Sequence, residues 1–161
     1  RSILVQAGDP KTIEWLNDRL KRSRFMPFAP AVHASLYDDC FPNGGKGRDA
    51  ARFMTISFDA SPRMKRLCAG AVHADGTCRP QRVGDEAPAY GRILKIYAEM
   101  TGIPAVINTS FNMHEEPIVD SPAGAIDTFL RARLHHLLLD DWIIDGRDIP
   151  MDGGGQGCAS Y

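Results

Sequence analysis

The sequence predicts a mixed α/β sheet, and three observations lead there. Strand-like and helix-like stretches alternate along the chain. An Asp75-Gly76 pair sits between two extended runs, the signature of an inserted hairpin. A short apolar run, Ala105-Val106-Ile107, lies between Gly102-Ile103-Pro104 and the polar segment that begins at Asn108, as expected of a buried strand that stops there.

Taken in order, Ser2 to Val5 reads as a first strand. Asp9-Pro10 then starts a helix whose Ile13, Leu16 and Leu20 share one face. That helix ends in a basic cluster, Arg19, Lys21, Arg22 and Arg24, and prolines 27 and 30 stiffen the segment after it. Cations at a helix C-terminus suit the helix dipole, and guanidinium groups also grip phosphate in a bidentate way that Lys does not. The loop from Asn43 to Asp49 is Gly-rich but has neither the phosphate-loop spacing nor a strand before it. Phe53 to Asp59 alternates apolar and small polar residues and predicts a half-buried strand. Ala71-Val72-His73 and Thr77 to Val83 form the arms of the expected hairpin. Pro88 to Met100 carries Tyr90, Ile93, Leu94, Tyr97 and Met100 at helical spacing, a stripe expected to pack on the core, and Thr101-Gly102 stops it. Ser121-Pro122 opens a last helix through Ala125, Ile126, Phe129 and Leu130. Leu137 to Leu139 and Trp142 to Ile144 predict a closing pair of strands or a bend, ending at Asp145-Gly146.

The totals restrict the function. With 161 residues the chain is expected to fold as one domain over residues 1–150, with a Gly-rich flexible tail over 151–161. A first residue of Arg1 and an opening in mid-pattern suggest a piece of a longer polypeptide. A net charge of -1 argues against nucleic-acid partners and a polybasic membrane anchor. No apolar run approaches the roughly 20 residues of a membrane span. Cys40, Cys68, Cys78 and Cys158 are too far apart for a zinc motif and suit reduced thiols, hence a cytoplasmic location. Adjacent His135-His136 and Asp140-Asp141 point in different directions on any regular element, so no metal site is expected. Ser110 lacks the G-x-S-x-G elbow of a serine hydrolase.

The polar segment Asn108-Thr109-Ser110-Phe111-Asn112 is the predicted site, because ligand crevices of open α/β sheets lie past the carboxyl ends of strands. Arg1, Lys21, Arg22 and Arg79 are the cations expected to converge with it on a phosphorylated ligand. Charge on a transferring group is then stabilised by positioned donors rather than by a covalent nucleophile.

Several stretches in order resemble one family. They are Arg1-Ser2-Ile3-Leu4, Lys21-Arg22 with Phe25-Met26-Pro27-Phe28-Ala29-Pro30, and Ala51-Arg52-Phe53-Met54-Thr55. They continue with His73-Ala74-Asp75-Gly76-Thr77-Cys78-Arg79-Pro80-Gln81, Asn108-Thr109-Ser110-Phe111-Asn112 and Glu116-Pro117-Ile118-Val119. Together they resemble the C-terminal domain of the NodU/CmcH carbamoyltransferases, which act on nodulation factors and antibiotics. The resemblance implies a YrdC/Sua5-like twisted mixed sheet with flanking helices and a concave ligand-binding face. It implies that carbamoyl phosphate and ATP, with Mg2+, give carbamoyl-adenylate and pyrophosphate, the carbamoyl group then passing to an acceptor hydroxyl. The acceptor and any other metal would belong to a Kae1-like N-terminal half. By motif position, Arg79, Ser110 and Asn108 would be catalytic, and Arg1, Lys21, Arg22, His73, Thr109 and Asn112 would bind substrate and nucleotide. The chain departs from the family at Ser23 or Arg24, where an acid is usual, and at Glu115, where Gly often precedes Glu-Pro. Two other classes compete: a nucleotide-binding regulatory module without turnover, and an RNA binder of YrdC type.

Overall fold

The computed structural model describes residues 1–23 and 27–149. Arg24 and the 151–161 tail therefore lie outside the described residues. The chain divides into two compact units, Arg1–Ile118 and one that begins at Val119.

The first unit is built on a four-stranded mixed sheet, as the alternation of elements predicts. Its strands are β1 (Ser2–Gln6), β2 (Ala29–His33), β5 (Gln81–Val83) and β6 (Ala105–Ser110), in the order β1-β6-β2-β5. β6 runs antiparallel to both β1 and β2, and β5 is parallel to β2. The register pairs Asn108 with Leu4 and Ala29, and Val106 with Ala31. Side chains paired across strands share a face. One face thus carries Ala31, Val83 and Val106, and helix α4 (Pro88–Thr101) covers it with Leu94, Tyr90 and Tyr97. Ile3, Val32 and Ile107 are buried on the other.

Local signals explain the element ends. Asp9 caps α1 (Pro10–Leu20) by accepting from the Lys11 N–H at 2.9 Å, with Pro10 in the first turn. Lys21 ends α1 in the left-handed region (φ 56), which lets the Arg22 N–H reach Asn17 O at 2.9 Å. Gly102, at φ 74, ends α4 in the same way.

Four expectations change. β6 does not stop at Ile107: it runs through Ser110, so Asn108, Thr109 and Ser110 are strand residues that alternate between faces. The expected strand over 53–59 is mostly a 3-10 turn (Ala50–Phe53) followed by Met54 at φ 55, which leaves only β3 (Phe58–Asp59) extended. Phe53 is 66% exposed, so its alternation reported no buried face. The Asp75-Gly76 turn does form, with Asp75 Oδ1 accepting from the Thr77 N–H and hydroxyl. Its arms share one backbone bond, from the His73 N–H to Thr77 O at 2.8 Å, but form no strand ladder with each other. Ala69–Ala71 is a 3-10 turn, β4 (Thr77–Cys78) pairs with β3, and Pro80 separates β4 from β5. In α4, Ile93 and Met100 are 48% and 81% exposed rather than in the core. They lie roughly a quarter-turn around the helix from the Tyr90-Leu94-Tyr97 line.

Two short helices, α2 (Tyr37–Cys40) and α3 (Pro62–Leu67), complete the first unit. Cys40, Cys68 and Cys78 are buried free thiols, and Cys158 is outside the described residues. The second unit holds α5 (Pro122–Ala132), capped by Ser121, and the antiparallel pair β7 (His136–Leu139) and β8 (Trp142–Asp145). Of the expected α5 stripe, Ala125 and Phe129 are buried while Ile126 and Leu130 stay exposed. No helix among the described residues is long and apolar enough to cross a membrane.

Candidate anion and amide site

The end of α1, the end of β6 and the turn after it enclose a cavity of about 180 Å3, lined by Leu20, Arg22, Thr109, Ser110, Asn112 and His114. Arg22 is fixed on three sides. The left-handed Lys21 aims the chain, the guanidinium stacks 4.3 Å from the centre of the Phe28 ring, and Nη1 donates to Thr109 Oγ1 at 3.1 Å. Burial lowers the Arg22 pKa, and the positive charge of Arg79 lowers it further. Arg79 therefore lies near enough to Arg22 for repulsion, and neither guanidinium pairs with a carboxylate among the described residues. Two mutually repelling cations with no carboxylate partner among the described residues are what an anion would relieve.

The turn is tied down by its own backbone and by one amide. The Phe111 N–H donates to Arg1 O at 3.2 Å, and the His114 N–H donates to Leu20 O at 3.0 Å. Nδ2 of Asn112 donates to Met113 O at 2.8 Å and to Glu116 O at 2.9 Å. Glu115 sits at φ 64, in the left-handed region.

The predicted residues fall into two groups. Arg22, Thr109, Ser110 and Asn112 line one cavity, with Arg79 beside Arg22. The other four do not line it. Arg1 contributes a backbone carbonyl while its side chain is exposed, and Lys21 serves as the exposed helix cap. Asn108 Nδ2 donates to Gln81 Oε1 at 2.6 Å across the small residues of β2, leaving its Oδ1 buried and unbonded. His73 Nδ1 bonds to Thr77 Oγ1 at 3.1 Å, and that hydroxyl donates to Asp75. The hydroxyl proton is thereby committed, so Nδ1 is the donor to Thr77, and Nε2 is buried without a hydrogen-bond partner. Sequence reasoning did not single out Leu20, Phe28, Gln81 or His114. Phe28 had a signal, an aromatic ring six residues after a helix-terminal Arg; the rest depend on tertiary placement.

The array is suited to holding charge rather than to forming a covalent bond. Ser110 has no base hydrogen-bonded to it among the described residues, and its hydroxyl sits at an exposed strand end. None of the six lining residues is a carboxylate, and no group of three or more His, Cys, Asp or Glu among the described residues could hold a metal ion.

The family described as Carbamoyltransferase C-terminus matches residues 1–146. The chain is 41% identical over 133 residues to an uncharacterized protein of Methanocaldococcus jannaschii, covering 81% of this chain and 25% of the relative. It is 34% identical over 149 residues to the nodulation protein NolNO of Sinorhizobium fredii, covering 91% and 22%. Nodulation protein U of Rhizobium tropici is 31% identical over 128 residues, covering 79% and 22%. The chain thus spans about a quarter of the length of these relatives.

Proposed function

The chain belongs to the carbamoyltransferase C-terminal family, and from that premise we propose that it binds carbamoyl phosphate and ATP and forms carbamoyl-adenylate. The observation that supports this reading best is Arg22, bonded to the Thr109 hydroxyl and repelled by Arg79, with neither guanidinium paired to a carboxylate among the described residues. Their charge would take up phosphate oxygens, and Thr109 and Ser110 would orient them. The overall reaction consumes one water: carbamoyl phosphate, ATP and water give carbamoyl-adenylate, pyrophosphate and phosphate. With no carboxylate among the lining residues, Mg2+ would arrive on the nucleotide's phosphates. In this reading Asn108 and His73, which do not line the cavity, take no direct part in holding the phosphate. The carbamoyl group would pass to a hydroxyl of a small-molecule or nodulation-factor-like acceptor. That acceptor would be held by a Kae1-like N-terminal half in a cytoplasmic enzyme.

Calorimetric titration with carbamoyl phosphate, alone and with a non-hydrolysable ATP analogue, tests the first step. Replacing exposed Arg79 by Ala is expected to weaken carbamoyl phosphate binding by about 10-fold or more, the scale of one charged hydrogen bond of about 1.5–3 kcal/mol. Its melting temperature should stay within a degree or two. Undiminished binding in Arg79→Ala, or none in the wild type at millimolar ligand, would remove the reading.

A further inference from the structure

Helix α4 is apolar on two sides, and the sheet covers only one of them. Tyr90, Leu94 and Tyr97 pack on the core. Ala89, Ile93, Ile96 and Met100 form a second row, and all four are exposed, Ile93, Ile96 and Met100 by 48%, 42% and 81%. Their spacing of four, three and four residues keeps them within an arc of about 60°. That alternation is the seam of a paired helix, where apolar side chains recur about every 3.5 residues. Exposed apolar residues scattered singly are ordinary, whereas a continuous row rimmed by charge marks a contact surface. The rim here is Arg92 and Glu99, on the solvent side of the row, and neither forms an ion pair among the described residues.

The row is complementary to itself in one orientation. When two α4 helices pack antiparallel about a two-fold axis, Ile93 meets Ile96 of the second copy, and small Ala89 meets its long Met100. The same register sets Arg92 beside Glu99 of the second copy, and the symmetry forms that pair twice. A parallel arrangement would stack Met100 on Met100 and Ala89 on Ala89, and would leave both charges without a partner. We propose that the face of α4 formed by Ala89, Ile93, Ile96 and Met100 docks a second copy of this chain as an antiparallel helix pair. The sheet already holds α4 helical, so association does not carry the cost of forming the helix. Two helices of 14 residues, each about 21 Å long, make a small contact of the transient class. A dissociation constant on the order of 10–100 µM is therefore expected. None of the residues lining the anion cavity lies on α4, so the inference stands apart from the carbamoyl phosphate reading.

Sedimentation equilibrium of the chain from about 5 to about 500 µM brackets that constant. The wild type is expected to be a reversible monomer–dimer system. Arg92→Glu and Glu99→Arg, each confirmed as folded by its thermal melt, should each weaken dimerisation about 10-fold or more, because each sets two like-charge contacts in the dimer. Combining the two reversals restores opposite charges and should bring the dimer back to within about 3-fold of the wild type. Ile96→Glu should stay monomeric throughout. A wild type that is monomeric across the whole range would overturn the inference and leave the row to another segment of a longer polypeptide; this measurement needs no variant. So would a dimer that Ile96→Glu leaves unchanged, which would place the contact elsewhere. A double variant as weak as the single ones would also overturn it, because the antiparallel register requires the rescue.

Discussion

At the scale of single residues, the site is held by backbone conformations that most side chains resist. Glu115 is the clearest case. Its φ of 64 falls in the left-handed region, which costs an L-residue about 1–2 kcal/mol, and the turn is kept because Asn112 and the Glu116 N–H bond to Met113 O tie it down. Glycine would relieve that strain but would loosen the unfolded chain by about 0.4–1 kcal/mol. The strain term is the larger, so Glu115→Gly is expected to stabilise the chain by about 0.5–1 kcal/mol. Urea unfolding should show a higher midpoint at unchanged slope. A lower midpoint would mean that the Glu115 side chain contributes something its exposure does not suggest. Arg22 differs in kind. It is stacked on Phe28 and bonded to Thr109, so truncating it removes packing as well as charge, and Arg79 is the cleaner probe.

At the scale of elements, α2, α3 and β4 bring Cys40, Cys68 and Cys78 together in the interior. Burial pushes the thiols of Cys40 and Cys78 up to about 12 and that of Cys68 up to about 11, against an ordinary 9.0. A folded-state pKa raised above the unfolded value contributes stability that is complete below about pH 9. That contribution is lost as pH climbs toward 11–12, because only the unfolded chain then sheds those protons. Stability should therefore stay nearly flat from pH 7 to about 8.5 and fall beyond it. Each thiol adds at most about 1.4 kcal/mol per pH unit to the slope. Cys68→Ala should be less stable near neutrality, for want of the buried sulfur, yet show a shallower alkaline decline. Parallel pH profiles for variant and wild type would remove this explanation. Elements also show what the sequence made legible. Capped helices were readable because Asp9-Pro10 and Ser121-Pro122 act locally, and Gly102 ends α4 by its own dihedral freedom. β2 was not, since Ala29-Pro30-Ala31-Val32-His33 has no alternation and carries a proline. It pairs with β5 only from Ala31 onward, so on that side no strand meets the N–H that Pro30 lacks. Phe53 to Asp59 shows the reverse error, alternation without a partner sheet.

At the scale of the whole molecule, the legible part of the site was its charge, and the hidden part was its hydrogen-bond accounting. A basic cluster and a polar segment name Arg22, Thr109, Ser110 and Asn112 alongside Lys21 and Asn108, and Arg79 is named beside the Asp75-Gly76 turn, but only tertiary placement separates those that line the cavity from those that do not. The same distinction separates small-ligand chemistry from RNA binding. Two guanidiniums without a carboxylate partner among the described residues, in a chain of net charge -1, suit a local anion site better than a broad basic face. The next question is whether the bound substrates react. If the chain forms carbamoyl-adenylate, atom balance requires pyrophosphate and phosphate in equal amounts, and only when ATP and carbamoyl phosphate are both present. Transfer to a hydroxyl should then need the rest of a longer polypeptide, since the chain spans about a quarter of its relatives. Coupled assays for both products, with the remaining portion supplied in trans, measure this directly. Pyrophosphate without carbamoyl phosphate would indicate plain ATP cleavage. Binding of both ligands with neither product would make the domain a nucleotide-holding module. Equal release that disappears in Arg79→Ala would tie turnover to the guanidinium that acts on Arg22.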